Sequence, residues 1–253
     1  MLQAEKITFI NQRQALCLSV SNQAEIPPAL EALQLPVPCP VIVWIGGAGS
    51  MAPQYAEPVS QVAHSVAQIA QESKAIIVDG ATDGGVIAVL GQVYAQSGYT
   101  FPLVGVVAKQ LVFWSNVPGK QRVSLVSKFR KAIASLLVGS AGRPWHLDPH
   151  HTHFFLVPGN HWGAESAWIS DIATQIAGDH PSVTILSNAR VGGICVQDVD
   201  HSLEANRPII VIAGTGGWAD ELASEPPQSK LWEIVSVDDR ESIRNTVLEH
   251  LAQ

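Results

Sequence analysis

The segment HTHFFLVPGNHWGAES, from His151 to Ser166, places three histidines and a glutamate within sixteen residues. Just before it, His146-Leu-Asp-Pro-His-His-Thr-His153 holds four histidines and an aspartate in eight. Residues of these types support three chemistries: metal ligation, acid–base catalysis, or the wall of a pocket for a phosphorylated ligand. A mononuclear zinc site needs three or four ligands converging at about 2.0–2.2 Å. His151 and His153, two apart on a strand, are predicted to point the same way, with Asp148 and His150 approaching from the loop before them. No HExxH or CxxC anchors such a set, so no metal site is assigned. The other reading of His153 is that it begins a strand and packs beneath the glycine turns, bonded to backbone, or touches a ligand. Trp162 can stack on a base or fill the core. Glu165, expected in the first turn of a helix where a carboxylate is favoured anyway, can bind ribose hydroxyls or act as an acid or base.

These residues have to be positioned by a regular frame. Val41-Ile-Val-Trp-Ile45 is a continuous apolar run bounded by glycines, the pattern of a strand buried on both faces. Ser50 and Pro53 suit the start of a helix from Pro53 to about Glu72. The unit then recurs, with strands at 75–79, 102–107, 153–157, 183–186, 208–213 and 231–237. Helices are expected over 86–96, 162–177, 196–205, 218–223 and 239–251, and a short one over 26–33, after strands at 6–9 and 15–20. Such alternation predicts an α/β fold: a Rossmann-like, doubly wound, mostly parallel sheet with helices on both faces. The segment 108–150 breaks the rhythm and carries seven of the 15 basic residues; it is the candidate insertion or lid, with a helix expected over 122–137. Nothing in the sequence divides residues 1–253 into separate domains.

In a doubly wound sheet, ligands bind beyond the carboxyl ends of the strands. Five glycine turns fall there. The first, Gly46, Gly47, Ala48, Gly49 and Ser50, fits G-x-G-x-x-A when read from Gly47, and open backbone amides before a helix suit an anion. The second follows Asp79 as Gly80, Ala81, Thr82, Asp83 and Gly84; Thr82 or Asp83 can alternatively cap the next helix. The third is Gly159, Asn160, His161 and Trp162. The fourth comprises Asn188, Arg190, Gly192 and Gly193, and its arginine matches phosphate oxygens with a planar fork. The fifth is Gly214, Thr215 and Gly216. Asp79, at the end of the second long strand, keeps a nicotinamide dehydrogenase open, although it lies 27 residues beyond Ala52. Asp220 is expected to cap the helix after the fifth turn.

Composition narrows the classes further. Apolar residues make up 47% and charged residues 15% of the 253, which excludes a disordered chain. With 15 basic and 22 acidic residues the net charge is −7 and no long basic run exists, so duplex nucleic acid is not an expected partner. Cys17, Cys39 and Cys195 are odd in number and widely spaced, which suits free thiols in a reducing cytosol. No signal peptide and no membrane-spanning run is recognised, so a cytoplasmic protein is expected.

The succession of a GGAG strand end, DGATDGGV, HTHFFLVPG, SNARVGG and PIIVIAGTGGWADELA resembles the prokaryotic branch of the SLOG superfamily. In particular it is similar to the LSDAT-type proteins, themselves similar to the N-terminal cytosolic region of melastatin-type TRP channels. The resemblance covers about residues 40–225, and HTHFFLV and IVIAGTGGWADELA are its specific pieces. It implies a Rossmann-like domain binding a nucleotide or nucleotide-derived ligand, ADP-ribose-type or NAD-like molecules leading, with no further cofactor required. Some superfamily members are phosphoribohydrolases with the hallmark P-G-G-x-G-T-x-x-E. Here Val191 to Asp198 stands at that place, without the Gly-Thr pair and with Asp198 instead of glutamate.

The expected function is binding or sensing of a small phosphorylated ligand on the glycine rim; a homo-oligomer is compatible with it. The alternative is a nucleotide N-glycosidase with Glu165 and Asp198 as the carboxylates that act on an oxocarbenium-like centre. A third reading is an interaction module docking a partner through an exposed Trp114 or Trp145.

Overall fold

The structure, a computed structural model, describes residues 2–49, 51–112, 145–190 and 193–252. Its strands are β1 (Glu5–Thr8), β2 (Gln14–Ser19), β3 (Val41–Gly46), β4 (Ile76–Asp79), β5 (Leu103–Ala108), β6 (His153–Val157), β7 (Ser182–Ser187), β8 (Ile209–Ala213) and β9 (Trp232–Ser236). They form one sheet in the order β1-β2-β6-β5-β4-β3-β7-β8-β9. Among the described strands only the β1–β2 pair is antiparallel. The expected Rossmann-like α/β architecture is therefore observed.

The helices of the described residues are α1 (Ile26–Ala32), α2 (Ala56–Ser73), α3 (Gly85–Ser97), α4 (Ser166–Ala177), α5 (Ile194–Glu204), α6 (Trp218–Ser224) and α7 (Arg240–Leu251). They fall on both faces because the strands are apolar on both faces. Ile42, Trp44, Ile77 and Leu103 pack against α2, α3 and α7. Val41, Val43, Ile45 and Val78 pack against α1, α4, α5 and α6. Alternate side chains of one strand point to opposite sides, so one apolar run supplies both cores. A smaller cluster of Cys17, Ala81, Val107, Leu147, Phe154 and Leu156 closes the sheet beside β6.

Several expected boundaries move. Residues 53–55 form a 3-10 turn and α2 begins only at Ala56, with Tyr55 in the cap position. The helix expected from 162 begins at Ser166, which puts Glu165 at its N-cap rather than in its first turn. Helix α3 is capped by Gly84, not by Thr82 or Asp83. Ser50, Gly192 and the expected helix 122–137, with most of the candidate lid, lie outside the described residues, as does Trp114.

From β3 the chain runs through β4 and β5 to β6 on one side of the sheet. It then returns to place β7 on the other side of β3. Helix α2 leaves β3 over one face and α5 leaves β7 over the opposite face. The carboxyl ends of β3 and β7 are thus the topological switch point, where such sheets open a crevice. No described helix is long and apolar enough to cross a membrane.

Candidate functional site

The five glycine turns do gather along the carboxyl edge, but they interlock. Gly47 N–H donates to Asn188 O (3.0 Å), and Val86 N–H donates to Gly47 O (3.1 Å). Asn188 donates from its backbone to Thr215 Oγ1 (3.0 Å) and from Nδ2 to Thr215 O (2.6 Å). Trp218 N–H donates to Ala189 O (2.7 Å), and Gly214 N–H to Asp220 Oδ1 (2.6 Å). Asp220 therefore folds back on the fifth turn and caps no helix. The amides of Gly47, Asn188 and Gly214 are accordingly engaged within the protein rather than open. Adjacent strands lie about 4.8 Å apart, so neighbouring turns satisfy one another's donors. Gly85, at φ +53°, is forced by this stacking, since a Cβ there would drive into the Gly47 carbonyl.

Some donors along this edge stay open, and two of them lie at the switch point. The N–H groups of Ala48 and Gly49 have no partner among the described residues, and nothing lies within 4 Å of where a Cβ of residue 49 would stand. Arg190, just beyond β7, is exposed, and its guanidinium has no carboxylate partner among the described residues. Of the third turn, Gly159 packs on Ala108 and Ala164, while Asn160 and His161 are exposed. Gly80 faces Ile87, and Ala81 and Thr82 are buried.

Glu165 and Asp198, the tentative catalytic carboxylates of the hydrolase alternative, come together between the starts of α4 and α5. Glu165 at the N-cap of α4 is 6% exposed and accepts from Gly163 N–H (3.2 Å). Asp198, one turn into α5, has a buried Oδ1 with no hydrogen-bond partner among the described residues. Burial pushes the Asp198 carboxyl up to about 7, and the nearby Glu165 charge adds to that. Burial likewise raises Glu165, against the Gly163 amide. Ser166, wholly buried, faces Asp198. Two carboxyl groups in one dry site share protons rather than both ionising. The site is thus equipped to hold a neutral carboxylic acid near neutral pH.

The histidine-rich segment serves another purpose. His151 Nε2 meets Asp79 Oδ1 at 2.8 Å, and its Nδ1 meets Asp148 Oδ1 at 3.3 Å. All three are buried. Burial alone favours a neutral ring, but the Asp79 and Asp148 carboxylates outweigh it and hold His151 protonated, pushed up to about 10. Asp148 is lowered to about 2 because its bonds to His150 and His151 overcome its burial. This charged core latches the second turn to the segment that precedes β6. Asp148 N–H donates to Ala81 O (2.9 Å), Asp83 N–H to His146 O (3.0 Å), and His146 N–H to Asp83 Oδ1 (3.2 Å).

The latch overturns four expectations. Asp79 is wholly buried and engaged by His151 and Ala81 N–H, so it does not serve the nicotinamide-dehydrogenase reading that it had kept open. His151 and His153 do not point the same way, because β6 starts only at His153. His151 packs on Phe154 (5.5 Å between centroids), whereas His153 reaches the backbone of Leu33 and is lowered to about 4 by burial. His153 also stands at the amino end of β6, away from the glycine turns it was expected to underlie. Trp145 is half-buried, its ring over Gly84 and edge-on to Trp162 (6.0 Å, 72°), so it is no exposed docking residue.

Residue types alone did not reveal Tyr55, whose ring covers Gly216. A tyrosine six residues beyond a glycine turn carries no motif; only the folded sheet brings it over the rim. The three cysteines are buried and free.

A doubly wound sheet with a glycine crevice at its switch point defines a Rossmann-like protein of the ligand-binding type of architecture. A family model described as SLOG in TRPM, prokaryote, matches residues 39–250. The chain belongs to that prokaryotic LSDAT branch of the SLOG superfamily. No curated protein matches it at a significant level. Among solved structures it is similar to the structural-genomics target TM1055, with TM-score 0.50 and 14% identity over 81% of this chain and 98% of that one. It is also similar to the molybdenum cofactor carrier protein of Chlamydomonas reinhardtii, with TM-score 0.50 and 13% identity over 85% and 99% of the two chains. At these identities the likeness is one of fold.

Proposed function

We propose that the protein binds a nucleotide or nucleotide-derived ligand at the β3–β7 crevice and acts as a sensor or carrier of it. The observation that carries this reading is that the Ala48 and Gly49 amides and the Arg190 guanidinium, all at one switch point, have no partner among the described residues. Backbone donors and a planar cation together match phosphate oxygens. Membership of the SLOG superfamily supports a nucleotide-type ligand, with ADP-ribose and NAD the first to test. Thermal-shift titration with ADP-ribose, NAD, AMP and cyclic dinucleotides tests it, since a ligand of the native state raises the melting temperature by mass action. A flat response to all of them removes the proposal.

Arg190→Ala is expected to weaken binding of the responding nucleotide by ~1.5–3 kcal/mol, the loss of a charge-assisted contact. Stability without ligand should stay within about 0.5 kcal/mol, as for exposed sites in general. Calorimetric titration of the variant checks both; unchanged affinity takes Arg190 out of the site.

A second reading is favoured by the Glu165–Asp198 pair. A neutral Asp198 can donate a proton to a departing base, while an ionised Glu165 steadies the positive sugar or activates water. This makes a nucleotide N-glycosidase. Chromatography of AMP incubated with the protein separates the readings: release of adenine supports the hydrolase, and binding without turnover supports the sensor.

A further inference from the structure

The geometry points to Tyr55 as the platform on which the base of a nucleoside 5′-phosphate stacks, an inference that rests on the phosphate crevice proposed above. Tyr55 belongs to the 3-10 turn that follows the open Ala48–Gly49 amides. Its ring lands on Gly216, in the turn after β8. Strand β7 lies between β3 and β8, so the ring reaches across the carboxyl end of β7 and stands over the switch point.

The ring lies face-on. Its Cε2, Cζ and Cδ2 stand 2.6, 2.6 and 2.8 Å from where a Cβ of residue 216 would be. Three near-equal distances mean that the ring plane, not its edge, covers the glycine. Gly216 at φ +91° is buried beneath it, while Tyr55 itself is only half-buried. One face is thus packed on backbone, and the side chain as a whole keeps partial exposure. The Tyr55 hydroxyl has no hydrogen-bond partner among the described residues, so the ring is not held there by its polar end. A rigid aromatic ring backed by glycine and partly exposed, beside donors for phosphate, suits a planar base joined to a phosphate through a sugar. Stacking accepts any base, so the platform selects for a base and not for its identity.

Calorimetric titration of the whole chain with AMP and with ribose 5-phosphate tests this, because the two probes differ by the base alone. The wild-type protein should bind AMP more tightly. Tyr55→Ala should weaken AMP by about 5- to 150-fold, the range for losing one aromatic stack, and leave ribose 5-phosphate within about twofold. Tyr55→Phe should restore AMP binding, since the hydroxyl is dispensable. Equal losses for both probes would mean that Tyr55 only shapes the turn, and would overturn the platform. So would a wild-type protein that does not distinguish the two probes. If neither probe binds the wild-type protein, the phosphate crevice itself fails, and the platform with it.

Discussion

His151→Ala should be the most damaging single substitution of an ionisable residue considered for this protein, costing about 3–5 kcal/mol of unfolding free energy, as when one partner of a buried ion pair is removed. The imidazolium lies between Asp79 and Asp148, all three shielded from water. Taking it away leaves two buried carboxylates facing a void. Asp79 Oδ2 already lacks a partner among the described residues. Urea unfolding at pH 7 measures the loss; a cost under about 1 kcal/mol, the scale of exposed pairs, would show that the cluster is not held by charge.

The pH dependence of the latch follows from the same contacts. His151 is raised to about 10 in the folded state, above its ordinary value near 6.5. Its stabilisation is therefore fully present below about pH 6.5 and is lost as pH rises through about 10. Asp148 is depressed to about 2. Its contribution is present above its ordinary value and disappears as pH falls through about 2. The latch thus stays closed across the whole neutral range. It is a fixed support for the second glycine turn rather than a switch.

Asp198→Asn is expected to do the opposite and make the protein more stable at pH 8, by about 2 kcal/mol, roughly half of what a full three-unit shift represents, because a buried site relaxes. The folded-state Asp198 carboxyl lies near 7, above its ordinary value of 3.8. A group raised in this way binds its proton more tightly in the folded chain. Its favourable contribution is complete below about pH 4 and is lost as pH rises through about 7. At pH 8 the wild-type protein holds an ionised Asp198 beside Glu165, with Asp198 Oδ1 unpartnered among the described residues, and asparagine removes that charge at nearly constant volume. Wild-type and variant should converge near pH 4. Denaturation midpoints of both at pH 4, 6 and 8 test this, and parallel curves would contradict the burial and pairing of the two carboxyl groups. A stabilising change at a strained polar pair is the usual mark of a functional site, and under the hydrolase reading the same variant should lose turnover by at least about 100-fold.

Legibility from the sequence divided along the reach of the interactions. Strands such as 41–46 and 209–213 were visible because a buried parallel strand has to be a continuous apolar run, and the glycines after them had to be turns. The start of α2 was misplaced because Pro53 fits a 3-10 turn as well as a helix, and only packing decides between them. Glu165 is legible from its place just after the third glycine turn, and Asp198 from its place opposite the glutamate of the phosphoribohydrolase hallmark. Their shared burial, which shifts both, was not visible. The His151–Asp79 contact spans 72 positions in the chain and left no local trace. Its histidine was read instead as part of a strand with His153. The amides of Gly47 and Gly214 read as open because a turn's donors look free until the neighbouring turn is in place.

By itself, then, the sequence determined the alternating apolar runs and glycine breaks that compel a parallel α/β sheet, because those patterns are local consequences of burial on two faces. It also determined, through its motifs, the SLOG kinship. Only the tertiary structure decided which donors remain for a ligand, which carboxyl groups meet and which histidine is locked in the core. Those outcomes depend on distances between strand ends and loops far apart in the chain, and no periodicity along it encodes them.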